Sequence, residues 1–192
     1  MEDVTSNKII NIVGTTNRYM IKKLTQNKAL ERKYLKRAKW DLSQDEMQFA
    51  NQLKVINEIF FDNLCDNKMY NNEMSKIITQ QINQKIAGYK NQDLTKKMFD
   101  VHNFIIFTDI ITRMNKCELT CYYCKQEMVV LYDISREMKQ WTVDRIDNNK
   151  GHNKDNFHLA CLECNLKRRK QSDDKFLFTK QLNIVQKDKQ VY

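Results

Sequence analysis

Two Cys-x-x-Cys pairs, Cys121-Tyr-Tyr-Cys124 and Cys161-Leu-Glu-Cys164, carry the strongest chemical signal in the chain. Two residues between cysteines let one tight turn aim both sulfurs at a single ion, and two such turns complete a tetrahedron around Zn²⁺. Four thiolates close the coordination shell, so this zinc is structural and any reaction must be carried by other residues. The 36 residues between Cys124 and Cys161 exceed the usual zinc-ribbon spacing and predict an element inserted between the two knuckles. Cys117 lies four residues before Cys121, but the doubled x-x spacing favours Cys121 and Cys124 as the first pair.

The inserted segment reads as strand, turn and strand. Trp141 to Ile146 contains β-branched and aromatic residues, Asp147 to Gly151 has turn chemistry, and Phe157 to Ala160 is a short apolar run. After Cys164, the run Asn165-Leu-Lys-Arg-Arg-Lys170 predicts a basic helix. The order is therefore knuckle, hairpin, knuckle, helix. Lys167, Arg168, Arg169 and Lys170 would grip backbone phosphates, with or without cleavage. His152 in the turn and His158 on the second strand offer imidazoles that are neutral near pH 7. Asp147 opens the turn, where an aspartate more often caps than binds metal.

The composite pattern C-x2-C, V-D-R-I-D-N, G-H-x-x-D-N and C-x2-C-N-x2-R-R, over about residues 117–171, resembles the HNH, or ββα-metal, endonucleases with zinc-binding cysteines. Its wording, with the continuation Phe176-Leu-Phe-Thr-Lys-Gln-Leu182, is similar to zinc-HNH proteins of large DNA viruses. The resemblance implies that Asp144 is the metal-binding carboxylate and that Asn165 completes the metal site from the helix. It also implies that Asn156 holds the loop, and so the base, in position. The ion would be Mg²⁺ or Mn²⁺, stabilising a pentacoordinate phosphate and the leaving oxygen. One position departs from the family. Where the general base histidine follows the metal-binding Asp, this chain has Arg145, which is always protonated and cannot accept a proton. Arg145 could instead bind the scissile phosphate bidentately. The base is then His152, His158 or a phosphate-activated water, unless the scaffold is inactive.

What must position these residues lies upstream. The chain has no proline and only three glycines in 192 residues, which favours long helices. Ser43 with Glu46 forms a capping-box signal. Phe49, Leu53, Ile56, Phe60 and Leu64 then make one helical stripe, and Met74, Ile78, Ile82 and Ile86 a second that ends at Gly88 as a C-cap. A third runs through Leu94, Met98, Val101, Ile105, Ile111 and Met114. Cys65 and His102, within this region, read as packing or surface residues. Arg18, Lys22, Lys23, Lys28, Arg32, Lys33, Lys36, Arg37 and Lys39 face one acid, Glu31, and read equally as a phosphate-tracking helix or a solvated arm.

The predicted fold is α+β: a basic arm or helix over 1–42, a helical region over 43–115, and a zinc-binding HNH module with a C-terminal helical extension over 116–185. A net charge of +9 and a pI near 9.2 predict a polyanionic partner, most simply DNA. No membrane span or signal peptide is read, so an intracellular place, in cytoplasm, nucleus or virion, is expected, where cysteines bind metal rather than form disulfides. The leading expectation is a metal-dependent endonuclease that hydrolyses DNA phosphodiesters. Its rivals are an inactive HNH scaffold that binds nucleic acid in packaging, transcription or recombination, and a structural zinc protein with an acidic protein partner.

Overall fold

The computed structural model describes residues 40, 42–65 and 72–181. The basic stretch from Arg18 to Lys39, nearly all of the expected arm and residues 182–185 lie outside them. The capping box at Ser43 forms, with the Ser43 N–H donating to Glu46 Oε2 at 2.7 Å and the Glu46 N–H donating to Ser43 Oγ at 3.2 Å. It closes a separate turn, and helix α1 (Phe49–Leu64) begins only after it. The buried stripe of α1 is Gln52, Val55, Ile56 and Ile59, so Phe49, Leu53 and Phe60 flank the core and Leu64 is exposed. Gln52 explains this rotation. Its Oε1 accepts the N–H groups of Val130 and Leu131, both at 2.8 Å, and its Nε2 donates to Leu131 O at 3.1 Å. An amide that satisfies three buried loop groups draws its face of the helix inward.

Helix α2 (Glu73–Thr95) starts at Asn72, whose Oδ1 accepts the Ser75 N–H at 2.6 Å. Of the predicted stripe, Met74, Ile78 and Ile82 are buried and Ile86 is half-buried, with Ile77 buried beside them. The expected stop at Gly88 does not occur. The helix continues for seven more residues, and a Cβ at Gly88 would meet nothing within 4 Å. Two inward side chains beyond it, Tyr89 and the fully buried Asp93, anchor the extension.

The third stripe is real only at its far end. Residues 96–106 leave the helix, with Leu94 and Val101 exposed. Here the Asp100 carboxylate accepts the N–H groups of His102 and Asn103 at 3.0 and 3.3 Å, a local alternative to helical bonding. Helix α3 (Phe107–Lys116) then buries Ile110, Ile111 and Met114. Its Asp109 Oδ2 accepts the Ile106 N–H at 2.9 Å.

Beyond α3, strands β1 (Trp141–Arg145) and β2 (Phe157–Cys161) form an antiparallel pair, with Trp141 opposite Cys161 and Asp144 opposite His158. Helix α4 (Leu162–Arg168) and helix α5 (Asp173–Gln181) follow. Among the described residues the fold is thus α+β, five helices and one two-stranded sheet. One apolar cluster runs from Ile56, Ile78, Ile82 and Met114 into Leu119, Trp141 and Leu159, so helices and hairpin share a core. No described helix is long and apolar enough to cross a membrane.

Candidate metal centre and polar cavity

The two knuckles meet. The sulfurs of Cys121, Cys124, Cys161 and Cys164 all lie within 4.8 Å of one another, and those of Cys124 and Cys161 are 3.9 Å apart. A tetrahedral zinc with Zn–S near 2.3 Å requires sulfurs about 3.8 Å apart, so the donor set fits one zinc ion. Backbone N–H groups turn toward the sulfurs as well, from Cys161 to Cys121 Sγ at 3.3 Å and from Cys164 to Cys161 Sγ at 3.4 Å. Hydrogen bonding from the Cys161 thiol holds the Cys121 thiol down to about 4, whereas burial pushes Cys164 up to about 12. Metal-free, the cluster therefore favours one thiolate over several, and a divalent cation is what stabilises them together. Cys117 stands apart, its Sγ directed at Met114 O at 3.6 Å, and Cys65 is exposed.

The second feature is a polar cavity of about 400 Å³ built by three elements and a loop. Tyr89 and Gln92 of α2, Thr142 to Arg145 of β1, Asn148 and His152 of the hairpin loop, and Asn165 and Arg169 around α4 contribute to its wall. Asn165 reaches β1 by donating from Nδ2 to Thr142 Oγ1 at 3.0 Å and to Val143 O at 3.4 Å. Both of these bonds leave from Nδ2, not from Oδ1. Asp144 is buried and both of its hydrogen bonds fall on Oδ2, one from the Tyr123 hydroxyl at 2.6 Å and one from Arg168 Nη1 at 2.8 Å. Burial raises the Asp144 carboxyl above its ordinary range, against the lowering effect of Tyr123 and Arg168.

Asn156 does not line the cavity; it builds the loop that does. Its Oδ1 accepts the Asp147 N–H at 2.8 Å, and its Nδ2 donates to Asp147 O and Gly151 O, each at 3.0 Å. Asp147 caps the turn, its Oδ1 accepting the Asn149 N–H at 2.9 Å. Arg145 braces the same loop, with Nη1 donating to Lys150 O at 2.9 Å and Asn148 O at 3.2 Å.

His152 is only 4% exposed, with Nδ1 2.7 Å from Asp93 Oδ1 and its backbone N–H on Asp93 Oδ2 at 2.6 Å. The Tyr89 ring stacks on the imidazole at 4.6 Å between centroids. Burial lowers the His152 pKa, partly offset by the Asp93 carboxylate, so the ring is neutral at pH 7. His158 sits elsewhere. Its ring stacks on Tyr122 at 3.6 Å, its Nε2 is 3.4 Å from Asp173 Oδ2, and it lines a different cavity with Arg113, Lys116 and Lys125.

The basic helix needs a correction. Arg168 does not face phosphates. It is 1% exposed, and besides its pairing with Asp144 it donates from Nη1 to Arg145 O at 2.5 Å and from Nη2 to Ile146 O at 2.8 Å. On a seven-residue helix packed against β1, one side chain in every turn must face the strand, and the guanidinium is the group that can cap its last carbonyls. Lys167 pairs with Glu163, Lys170 is exposed, and Arg169 stands at the polar cavity. Asp93, Tyr89 and Tyr123 were missed by the motif. Asp93 had a signal: it falls four residues after Tyr89 and seven after Ile86, on the inward line of an apolar helix.

Fold and site together define an α+β chain with a four-cysteine metal centre compatible with structural zinc. The chain matches no protein-family model, no curated protein and no solved structure.

Proposed function

We propose that this protein is an HNH-type, divalent-metal-dependent endonuclease that hydrolyses DNA phosphodiester bonds. The observation that carries the reading is the convergence of Asp144, Arg145, His152 and Asn165, four residues of the motif, on one cavity. Asp144 and Asn165 would hold Mg²⁺ or Mn²⁺, since each has a carbonyl-type oxygen without a protein donor and the pair leaves room for water and phosphate. When bound, such an ion supplies charge stabilisation at the phosphate. His152, neutral and held at Nδ1, can take the proton of an attacking water through Nε2. Arg169 at the cavity would meet the anionic backbone. Positive charge also gathers elsewhere, where Arg113 and Lys116 line two cavities of about 210 and 350 Å³, one with Lys125 and the other with Lys154 and Asp109. Such a surface suits a strand of phosphates.

A second reading, an inactive HNH scaffold that binds nucleic acid, is favoured by one observation. Arg168 already neutralises Asp144 in the buried pair, which weakens the site for a cation. The two readings separate on supercoiled plasmid incubated with Mg²⁺ or Mn²⁺, beside an Asp144→Ala control. The nuclease reading expects nicking by the wild type and a loss of at least about 10²-fold in the variant. Retained DNA binding with no nicking under either metal leaves the inactive scaffold.

A further inference from the structure

The histidine the motif singled out is held by a residue the motif does not contain. Asp93 lies on α2, 59 residues before His152 and outside the hairpin, yet it binds that residue twice, once through the ring and once through the backbone. Both partners are buried, with side chains 1% and 5% exposed. Four further contacts fix the arrangement. Tyr89, one turn earlier on α2, covers one face of the imidazole and accepts the Val143 N–H on its hydroxyl at 3.0 Å. The His152 carbonyl accepts the Ile105 N–H at 3.0 Å, and the Lys154 N–H donates to Asn103 O at 2.8 Å. The break in helical structure over residues 96–106 is therefore the dock for the hairpin loop. Gly151 makes the approach possible: a Cβ there would stand 2.5 Å from Met98 O and 2.9 Å from Asp93 Oδ2.

We propose that Asp93 is a positioning residue which fixes His152 in the Nδ1–H form, leaving the Nε2 lone pair as the proton acceptor of the cavity. The inference rests on the nuclease reading for its consequence, not for its geometry. A carboxylate oxygen can only accept, so the neutral imidazole must place its single proton on Nδ1. The ring then has one basic nitrogen, and the cavity has one base of defined direction. In catalytic triads the orienting carboxylate acts in this way, and its amide substitute leaves the wrong tautomer with a large loss of rate. The helical layer is thereby part of the reaction centre: the loop supplies the imidazole and α2 supplies its orientation. This also accounts for Arg145 standing where the family has a base, since the proton acceptor enters from the loop instead.

The charged groups around His152 are Asp93 and Lys96 from the α2 end and Arg145 from β1; Asp93 raises its pKa, and the two cations lower it. Removing the Asp93 charge thus moves protonation of His152 to lower pH. Two measurements on the full, zinc-loaded chain test the proposal. The first is nitrogen-15 NMR of the imidazoles, which number three and are assignable with His102→Gln and His158→Gln. Wild-type protein above pH 7 is expected to show His152 protonated at Nδ1 and bare at Nε2. An Nε2–H form overturns the proposal whether or not the protein cleaves DNA. The second is Asp93→Asn, with melting temperature as the control for folding. The expected result is transfer of the proton to Nε2, a fall in kcat of about 10²-fold or more at unchanged KM, and an acidic limb of the pH–rate profile shifted to lower pH. Asp93→Glu should restore part of the rate and the Nδ1–H form. A folded Asp93→Asn protein with wild-type kcat and tautomer contradicts the assignment. If Asp93→Asn does not fold, the wild-type spectrum alone decides. If the wild type nicks no plasmid, the nuclease reading fails and the catalytic consequence with it, while the tautomer still stands or falls on the spectrum.

Discussion

The helices α1 to α3 and the hairpin with its knuckles are held by different chemistry. The helical layer is closed by Ile56, Ile59, Ile78, Ile82, Ile110, Ile111 and Met114, all essentially without solvent contact. Hydrophobic area does the stabilising there, and many side chains share the load. The hairpin module has Trp141, Val143, Phe157 and Leu159 on its apolar side, and its other fixings are single polar residues, each satisfying several backbone groups.

 On the polar side, Asn156 makes three bonds to the loop and Arg168 bridges Asp144 to the carbonyls of Arg145 and Ile146. A layer built from area degrades gradually. A module built from one four-cysteine cluster that fits a zinc ion and a few polar clamps fails at single points.

The largest test of this difference is removal of zinc. Metal binding at such a site is worth on the order of 10 kcal/mol of folding free energy, so a strong chelator, or Cys161→Ser, should collapse the hairpin module. The outcome is read by loss of near one equivalent of zinc in elemental analysis together with loss of hairpin amide signals. Retention of the hairpin without metal would show that the apolar side suffices. Zinc release should also follow pH with a definite sign. Protons compete for the thiolates, and burial pushes the Cys164 thiol up, so zinc affinity falls as pH falls.

Next in size is the helical layer. Ile82→Ala should cost about 2–5 kcal/mol by denaturant unfolding, with zinc content unchanged. Loss of zinc in that variant would mean that the shared core, rather than local chemistry, governs the metal site. Gly151→Ala attacks the seam between the regions. Its Cβ meets the Met98 carbonyl, a backbone group that cannot swing aside, and a cost of about 1–3 kcal/mol is expected. Hydrogen exchange at His152 and Asn153 should quicken, and an unchanged exchange rate there would contradict the docking. The smallest effect is of opposite sign. Gly88→Ala places a methyl in open space within α2 and should stabilise by about 1 kcal/mol, read as a raised melting temperature.

The same contrast governs what could be read from the sequence. The cysteine knuckles, the hairpin and the helix after it are legible because their signals are local: two-residue spacings, a turn-rich segment between β-branched runs, and a basic run after the last cysteine. The apolar stripe of α2 is legible for the same reason. The turn of α1 toward Gln52 was not, because its cause is a loop about eighty residues away, at Val130 and Leu131. Gly88 read as a stop because a glycine at the end of an isoleucine stripe usually is one, whereas tertiary anchors at Tyr89 and Asp93 carry the helix onward. Arg168 read as one of four phosphate-gripping cations, since nothing in Lys-Arg-Arg-Lys marks which side chain faces the strand. At the candidate site, the motif named Asp144, Arg145, His152 and Asn165 on the cavity wall but not Asp93, which binds the imidazole. That pairing spans 59 residues and has no pattern of its own.

The measurement that tests the central claim most directly is cleavage of supercoiled plasmid by zinc-loaded protein with Mn²⁺, comparing the wild type with His152→Ala and Asn165→Ala at equal zinc content. The account predicts nicking by the wild type and losses of about 10²-fold or more in both variants, with DNA binding retained. Wild-type rates in both variants, or no nicking by any of the three, would contradict it.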